Sequence, residues 1–236
     1  MQDLRITFIT GMWKRPEVFE MFAKGIKKIQ TQWSNMDIQC VVAGSEGVHS
    51  RSLCEKYGFH YIETNNYPLS DKMNKPLQVA KELNSDYVIC LGSDDVMSLE
   101  LFDLYLEYMN QGYDFIGLID FYFLNLEKNK AIYWKGYREH SRKGETIGAF
   151  RCISKWVLDQ LDWELWQSGL TKGLDASMKV KLSKLSYRSK SIRLKDENVY
   201  AMDIKTSENI TPYKEFDNSL VINAEALKSV FFSIFV

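Results

Sequence analysis

Two adjacent carboxylates, Asp94 and Asp95, follow the apolar run Tyr87-Val88-Ile89-Cys90-Leu91 after a short Gly92-Ser93 turn. A run of this kind reads as a buried strand, which puts the pair at the strand's carboxyl end. Two like charges held there are costly unless a cation neutralises them. Hard oxygen donors suit Mg2+ or Mn2+ bridging to phosphate oxygens, so Asp94 and Asp95 are the candidate metal ligands. The competing reading is structural: Ser93-Asp94-Asp95 would cap the next helix, although Ser98 offers that helix a cap of its own. Other chemistries find less support. The three histidines, at 49, 60 and 140, have no metal spacing. Cys40, Cys54, Cys90 and Cys152 form no Cys-x-x-Cys pair and read as reduced core thiols of a cytosolic protein. Neither the Gly-rich dinucleotide fingerprint nor the phosphate loop of ATPases is present. Asn209-Ile210-Thr211 matches the glycosylation pattern and is read as chance, because no secretion signal precedes it.

The elements that must hold these carboxylates alternate through the first half. Strands are expected at Ile6 to Thr10, Ile38 to Ala43, Phe59 to Ile62, Tyr87 to Leu91 and Phe115 to Ile119. Helices are expected after Pro16, over Ser50 to Tyr57, Leu77 to Leu83 and Leu99 to Met109. Repeated β-α units with apolar strands imply an α/β fold, a mainly parallel central sheet with helices on both faces. Sites in such sheets lie at the carboxyl ends of the strands. After Asp120 the alternation stops. A strand at Ala131 to Tyr137 and helices at Trp156 to Trp166, Leu174 to Leu185 and Ser219 to Val236 are expected there. The closing Val230 to Val236 is largely apolar and reads as core or partner contact rather than a membrane-touching tail, having no flanking basic cluster. Met202-Asp203-Ile204-Lys205 reads as a surface loop.

Of 236 residues, 45% are hydrophobic and 14% aromatic, which is globular composition with material for a sizeable core. No apolar run approaches the roughly 18 to 20 residues of a membrane span. The net charge of −1 hides two unlike halves: residues 1–127 balance at −7 and residues 128–236 at +6. Residues 128–195 alone hold 16 basic and 6 acidic side chains.

The ordered layout resembles the GT-A fold glycosyltransferases, the family 2 type in particular, which move a sugar from a nucleotide-sugar donor. Three stretches carry the resemblance: Thr10-Gly11-Met12-Trp13-Lys14-Arg15-Pro16 after the first strand, Lys72-Met73-Asn74-Lys75-Pro76 as an Asn-containing turn into a helix, and Gly92-Ser93-Asp94-Asp95 at the place of the Asp-x-Asp signature. The resemblance spans about residues 5–185. Gly92 stands where the family commonly has the first aspartate, and Asp94 matches the second. The resemblance implies one domain, with a nucleotide-sugar-binding half at 1–127 and an acceptor-side half at 128–236. It implies Thr10, Met12 and Arg15 beside base and ribose, and Lys72, Asn74, Ser93, Asp94 and Lys205 toward the donor. Asp95 would be a second metal ligand or orient the ribose, and Asp203 a further candidate ligand. Gly173-Leu174-Asp175-Ala176-Ser177 resembles the family's acidic pair at a helix start, with Leu174 replacing the first acid. Asp175, in a helical first turn, would be the general base of an inverting transfer, or only an end-stabilising residue.

The implied activity is metal-assisted transfer of a hexosyl or pentosyl group from a UDP-sugar-like donor, with Mn2+ or Mg2+ as cofactor. Lys179, Lys181, Lys184, Arg188, Lys190, Arg193 and Lys195 cluster after Asp175. They point to an acidic acceptor, hydroxylated nucleic acid or a phosphate-linked glycan lipid, against the reading of a solvated helix face. A non-catalytic nucleotide- or glycan-binding module of the same fold and a nucleotidyltransferase are the alternatives. Trp134, Trp156, Trp163 and Trp166 offer stacking surfaces, with most expected in the core.

Overall fold

A computed structural model describes residues 4–139, 142–207 and 219–235; His140, Asn209 and the Asn209-Ile210-Thr211 pattern lie outside the described residues. The chain opens with β1 (Arg5–Gly11), whose interior residues Ile6 to Thr10 are all buried. Pro16 starts α1 (Pro16–Gln32), which turns Val18, Phe19, Phe22, Ala23, Ile26 and Ile29 inward at helical spacing. β2 (Asp37–Gly44), α2 (Val48–Tyr57) and β3 (His60–Glu63) complete two β-α units. α3 (Leu69–Glu82) leads into β4 (Tyr87–Cys90), a strand buried at every residue.

The chain then leaves the first sheet. β5 (Asp95–Met97) precedes α4 (Leu99–Asn110), capped by Ser98, whose hydroxyl accepts from Leu101 N. β6 (Phe115–Leu118) is followed by the hairpin of β7 (Phe121–Asn125) and β8 (Lys130–Trp134). Next come β9 (Arg151–Ser154), α5 (Lys155–Gln160), α6 (Leu174–Leu182), β10 (Ser189–Ile192) and α7 (Leu194–Glu197). β11 (Ala201–Lys205), β12 (Ser219–Ile222), α8 (Ala224–Val230) and α9 (Phe232–Phe235) end the chain.

Seven strands form one sheet in the order β10-β6-β9-β4-β1-β2-β3, and five form a second in the order β12-β8-β7-β11-β5. In the first, β1 pairs in parallel with β2 and β4, β2 with β3, and β10 with β6, while β9 runs antiparallel between β4 and β6. The expected mainly parallel sheet is therefore present. Of the second sheet only β8 is expected from the sequence, as a strand at Ala131 to Tyr137. Its β11 pairs antiparallel with β5 and parallel with β7, so 201–205 is an interior strand and not a surface loop. Met202 and Ile204 are fully buried and supply the apolar alternation that holds it there.

Other boundaries differ for local reasons. α3 begins at Leu69, so Lys72 to Pro76 lies inside a helix rather than in a turn before one. Pro76 leaves only the Lys72 carbonyl without its usual helical donor, and the helix continues through it. The helix expected to reach Trp166 stops at Gln160, where Asp162 and Trp163 take left-handed backbone conformations. Residues 219 onward form a strand before two short helices; Asn223 caps the first by accepting from Glu225 N and Ala226 N. Phe231 and Ile234 are buried in the core beside the second sheet, as expected of core contact, while Phe232 stands exposed. All four cysteines are buried free thiols, and Trp134, Trp163 and Trp166 are core. Among the described residues no helix is long and apolar enough to cross a membrane.

Candidate active site

Three carboxylates meet where the two sheets adjoin. β4 ends at Cys90, and the next residues carry Asp94 and Asp95 from the first sheet into β5 of the second. β11 then runs back beside β5, placing Asp203 directly opposite Asp95, while Ile204 N donates to the Asp94 carbonyl at 2.8 Å. One oxygen from each of Asp94, Asp95 and Asp203 lies within 4.8 Å of the others. Like charges directly opposite on a sheet destabilise it, so this arrangement calls for positive charge.

Part of that charge comes from the protein. Arg15 Nη1 lies 2.8 Å from Asp94 Oδ2, and Lys205 Nζ lies 2.6 Å from Asp203 Oδ2. Lys14 and Arg15 both adopt left-handed backbone, an uncommon pair for residues with side chains, and this lead-in to α1 brings the Arg15 guanidinium over Asp94. The neutralisation is incomplete. Burial, then Asp203 and Asp94, push the Asp95 carboxyl well above the ordinary range, against the hydrogen bond it accepts from Gly92 N at 2.5 Å. Asp203 is pushed up to about 7 by burial and by Asp94, against the pull of Lys205. Its Oδ1 is buried with no hydrogen-bond partner. An orphaned carboxylate oxygen among three converging acids is a fitting donor set for a divalent cation.

Gly92 belongs to this geometry. A Cβ at position 92 would come within 2.5 Å of an Asp94 oxygen and 3.0 Å of one from Asp95, so no first aspartate of an Asp-x-Asp signature fits there. The third carboxylate comes from Asp203 instead. Ser93 is buried beside the cluster.

The other expected donor residues separate. Thr10 is fully buried at the end of β1 with its hydroxyl unpartnered, and Met12 is core. Lys72 is buried, and its Nζ donates to Met12 O at 2.6 Å, Ser45 Oγ at 2.6 Å and Asn66 Oδ1 at 3.0 Å. Burial pushes its pKa down to about 8, against Glu46 and Glu63. All three ammonium protons thus tie the ends of β1 and β2 to the loop before α3. Lys72 and Lys75 line a cleft of about 520 Å³ with Glu63, Asn65, Asn66 and Tyr67. Asn74 faces elsewhere: its amide donates to Trp166 O at 2.8 Å and accepts from Trp166 N at 3.2 Å, pinning a loop.

Asp175 stands in the first turn of α6, as expected. Arg151 Nη1 lies 3.2 Å from its Oδ1; the arginine is buried, and its Nη2 donates to Thr146 O at 3.0 Å. Phe150 N donates to Cys90 O at 2.7 Å, which lays the segment before β9 along the end of β4. Gly148 in that segment approaches so closely that a Cβ there would lie 2.4 Å from Asp175 Oδ1. Asp175 and the three carboxylates are therefore both organised around the carboxyl end of β4. Beside Asp175 opens a cleft of about 960 Å³. On sequence, Gly144 to Arg151 resembles the segment that crosses under the donor sugar before the acceptor helix in GT-A glycosyltransferases. The partnership of Arg151 and Gly148 with Asp175 was not expected, since neither residue announces a partner 24 or more residues away.

A mainly parallel sheet adjoined by a smaller mixed sheet is a GT-A-like fold. Residues 1–349 of S. aureus TarS share it at a TM-score of 0.62 and 12% identity, over 85% of this chain and 60% of that one. The complex of the same fragment with UDP matches at 0.54 and 15%. Mannosyltransferase PcManGT from Pyrobaculum calidifontis, solved with GDP-Man and Mn2+, matches at 0.57 and 11%, over 90% of this chain and 58% of that one. The present chain thus spans about three fifths of the length of these solved proteins. No family model and no curated protein matches the sequence.

Proposed function

We propose that the chain is a divalent-metal-assisted glycosyltransferase that moves a sugar from a nucleoside-diphosphate sugar of the UDP type to an acceptor hydroxyl. The observation that carries it is the buried Asp94-Asp95-Asp203 cluster at the strand end of a GT-A sheet. Solved neighbours of this fold were captured with UDP and with GDP-Man plus Mn2+, which supports a nucleotide-sugar ligand. Asp94, Asp95 and Asp203 would hold Mn2+ or Mg2+, which when bound supplies positive charge to the departing diphosphate.

The chain's own groups do the rest. Arg15 and Lys205 hold Asp94 and Asp203 in place, so the ligand set is formed before the donor arrives. Lys72, with its protons fully used, shapes the nucleotide side at Ser45 and Asn66 and leaves phosphate contact to Lys75, Arg15 and Lys205. Asp175, oriented by Arg151, takes the proton of the attacking hydroxyl in an inverting transfer. The acceptor enters through the 960 Å³ cleft, whose basic rim favours an acidic molecule.

Asp94→Ala and treatment with EDTA should each lower transfer or donor hydrolysis at least about 100-fold, the scale of losing a transition-state charge stabiliser. Full activity in either case removes the metal role. Binding of UDP with Mn2+ but no turnover on a broad donor and acceptor panel would point to a binding module. Pyrophosphate release from a nucleoside triphosphate and a sugar phosphate would assign nucleotidyl transfer instead.

A further inference from the structure

We infer that the cleft beside Asp175 takes an amphiphilic anion: an acceptor with a phosphate or carboxylate at one end of the contact and an apolar body at the other. The inference rests on the acceptor-side placement of Asp175 made above. Four cations line the cleft, Arg142, Arg151, Lys172 and Lys179, against two carboxylates, Glu145 and Asp175. Glu145 is shared by Arg142 and Lys179, and Asp175 is paired with Arg151. Lys172 is exposed and has no ion-pair partner among the described residues. The excess positive charge is therefore carried by Lys172 and by the Arg142-Glu145-Lys179 bridge, both of which line the cleft. The wall is of another kind. Leu69 at the start of α3 and Leu174 and Leu182 of α6 face the cleft together with Phe115 and Tyr187, whose rings lie 6.0 Å apart. Such a wall covers hydrocarbon and offers a neutral sugar few hydrogen bonds.

A nucleic-acid track is not formed by the basic segment as a whole. Lys181 donates to the Glu164 carbonyl, Arg188 lies over Tyr113, Lys190 over Tyr108 and Lys195 over Tyr133. These cations are engaged locally, on a carbonyl or an aromatic ring. A polyanion needs a continuous basic groove, whereas one rim of charge above an aliphatic wall suits a single anionic group on an apolar carrier.

The test is titration of the whole chain with octyl phosphate, octyl glucoside and inorganic phosphate, each below micelle formation, followed by calorimetry or methyl NMR. Octyl phosphate should saturate at least about ten-fold tighter than either control, and Lys172→Glu and Leu174→Gln should each weaken it several-fold. Equal binding of octyl glucoside, indifference to Lys172→Glu, or tighter and steeply salt-dependent binding of a short single-stranded oligonucleotide overturns the inference. Asp175→Asn separates it from the catalytic reading. Retained transfer in that variant overturns the base and leaves the cleft standing. Asp175-dependent transfer without octyl phosphate binding overturns the cleft alone.

Discussion

Lys72 shows how burial rewrites a residue's role. On sequence it is one more cation available to a phosphate, yet its ammonium is surrounded by a carbonyl, a hydroxyl and an amide oxygen away from bulk water. Its pKa is about 8 folded against 10.5 for the free side chain. Between those values the unfolded state binds more protons than the folded one, so this group's contribution makes stability rise with pH. In chemical denaturation from pH 7.5 to 10.5 the stability of the wild type relative to Lys72→Met should therefore rise with pH. Parallel profiles for the two proteins would mean the amine titrates normally. Gly92 carries a similar lesson: it reads as a lost ligand, while the structure fills its side-chain space with the carboxylates of Asp94 and Asp95. Leu174, where an acid would stand in the resembling family, lines the cleft and supplies wall.

At the level of elements, catalysis in this reading depends on how closely the segment before β9 passes the start of α6. Gly148→Ala would force the Asp175 carboxylate off Arg151, because the added methyl would lie 2.4 Å from its oxygen. We expect kcat to fall about ten-fold or more, a misplacement effect, while thermal unfolding and UDP binding change little. A variant with wild-type kcat would show that Asp175 has room to move without consequence. The β-α units of β1 to β4, and α4 with β6, were legible because their strands lie in apolar runs and α1 and α4 each turn an apolar face of four or more residues inward. β5, β7, β9, β10, β11 and β12 were not: they have three to five residues each and, β5 apart, lie beyond Asp120, where strand and helix signals stop alternating. Met202 and Ile204 flanking Asp203 were the available signal for β11, but four residues of alternation do not distinguish a strand from a loop. The Asp94-Asp95 pair was visible in sequence for the opposite reason: it interrupts the chain right after its most apolar strand. Asp203 could be joined to it only through the pairing of β11 with β5, a contact more than 100 residues long.

At the scale of the whole molecule, the acidic and basic halves of the chain do not stay apart. Asp203 and Lys205 come from the basic half and complete a cluster begun in the acidic half, and Lys190 and Arg188 of the basic half stack on Tyr108 and Tyr113 of the acidic one. The carboxylate cluster sits at the junction of the two sheets, since Asp94 lies on the link between them and Asp95 and Asp203 face each other in the second. A cation bound there would bind the folded state only. At a Mn2+ concentration about 100 times its dissociation constant, such binding adds about 2.7 kcal/mol to unfolding. For a chain of this length that is roughly 5 to 11 °C in Tm. Thermal unfolding of the EDTA-treated protein should therefore shift upward on adding MnCl2 and return on adding excess chelator. Asp203→Asn should lose most of the shift while folding normally without metal, because it removes a ligand together with a buried charge. An unchanged Tm in the wild type, or a full shift in Asp203→Asn, would show that the three carboxylates do not act as one site.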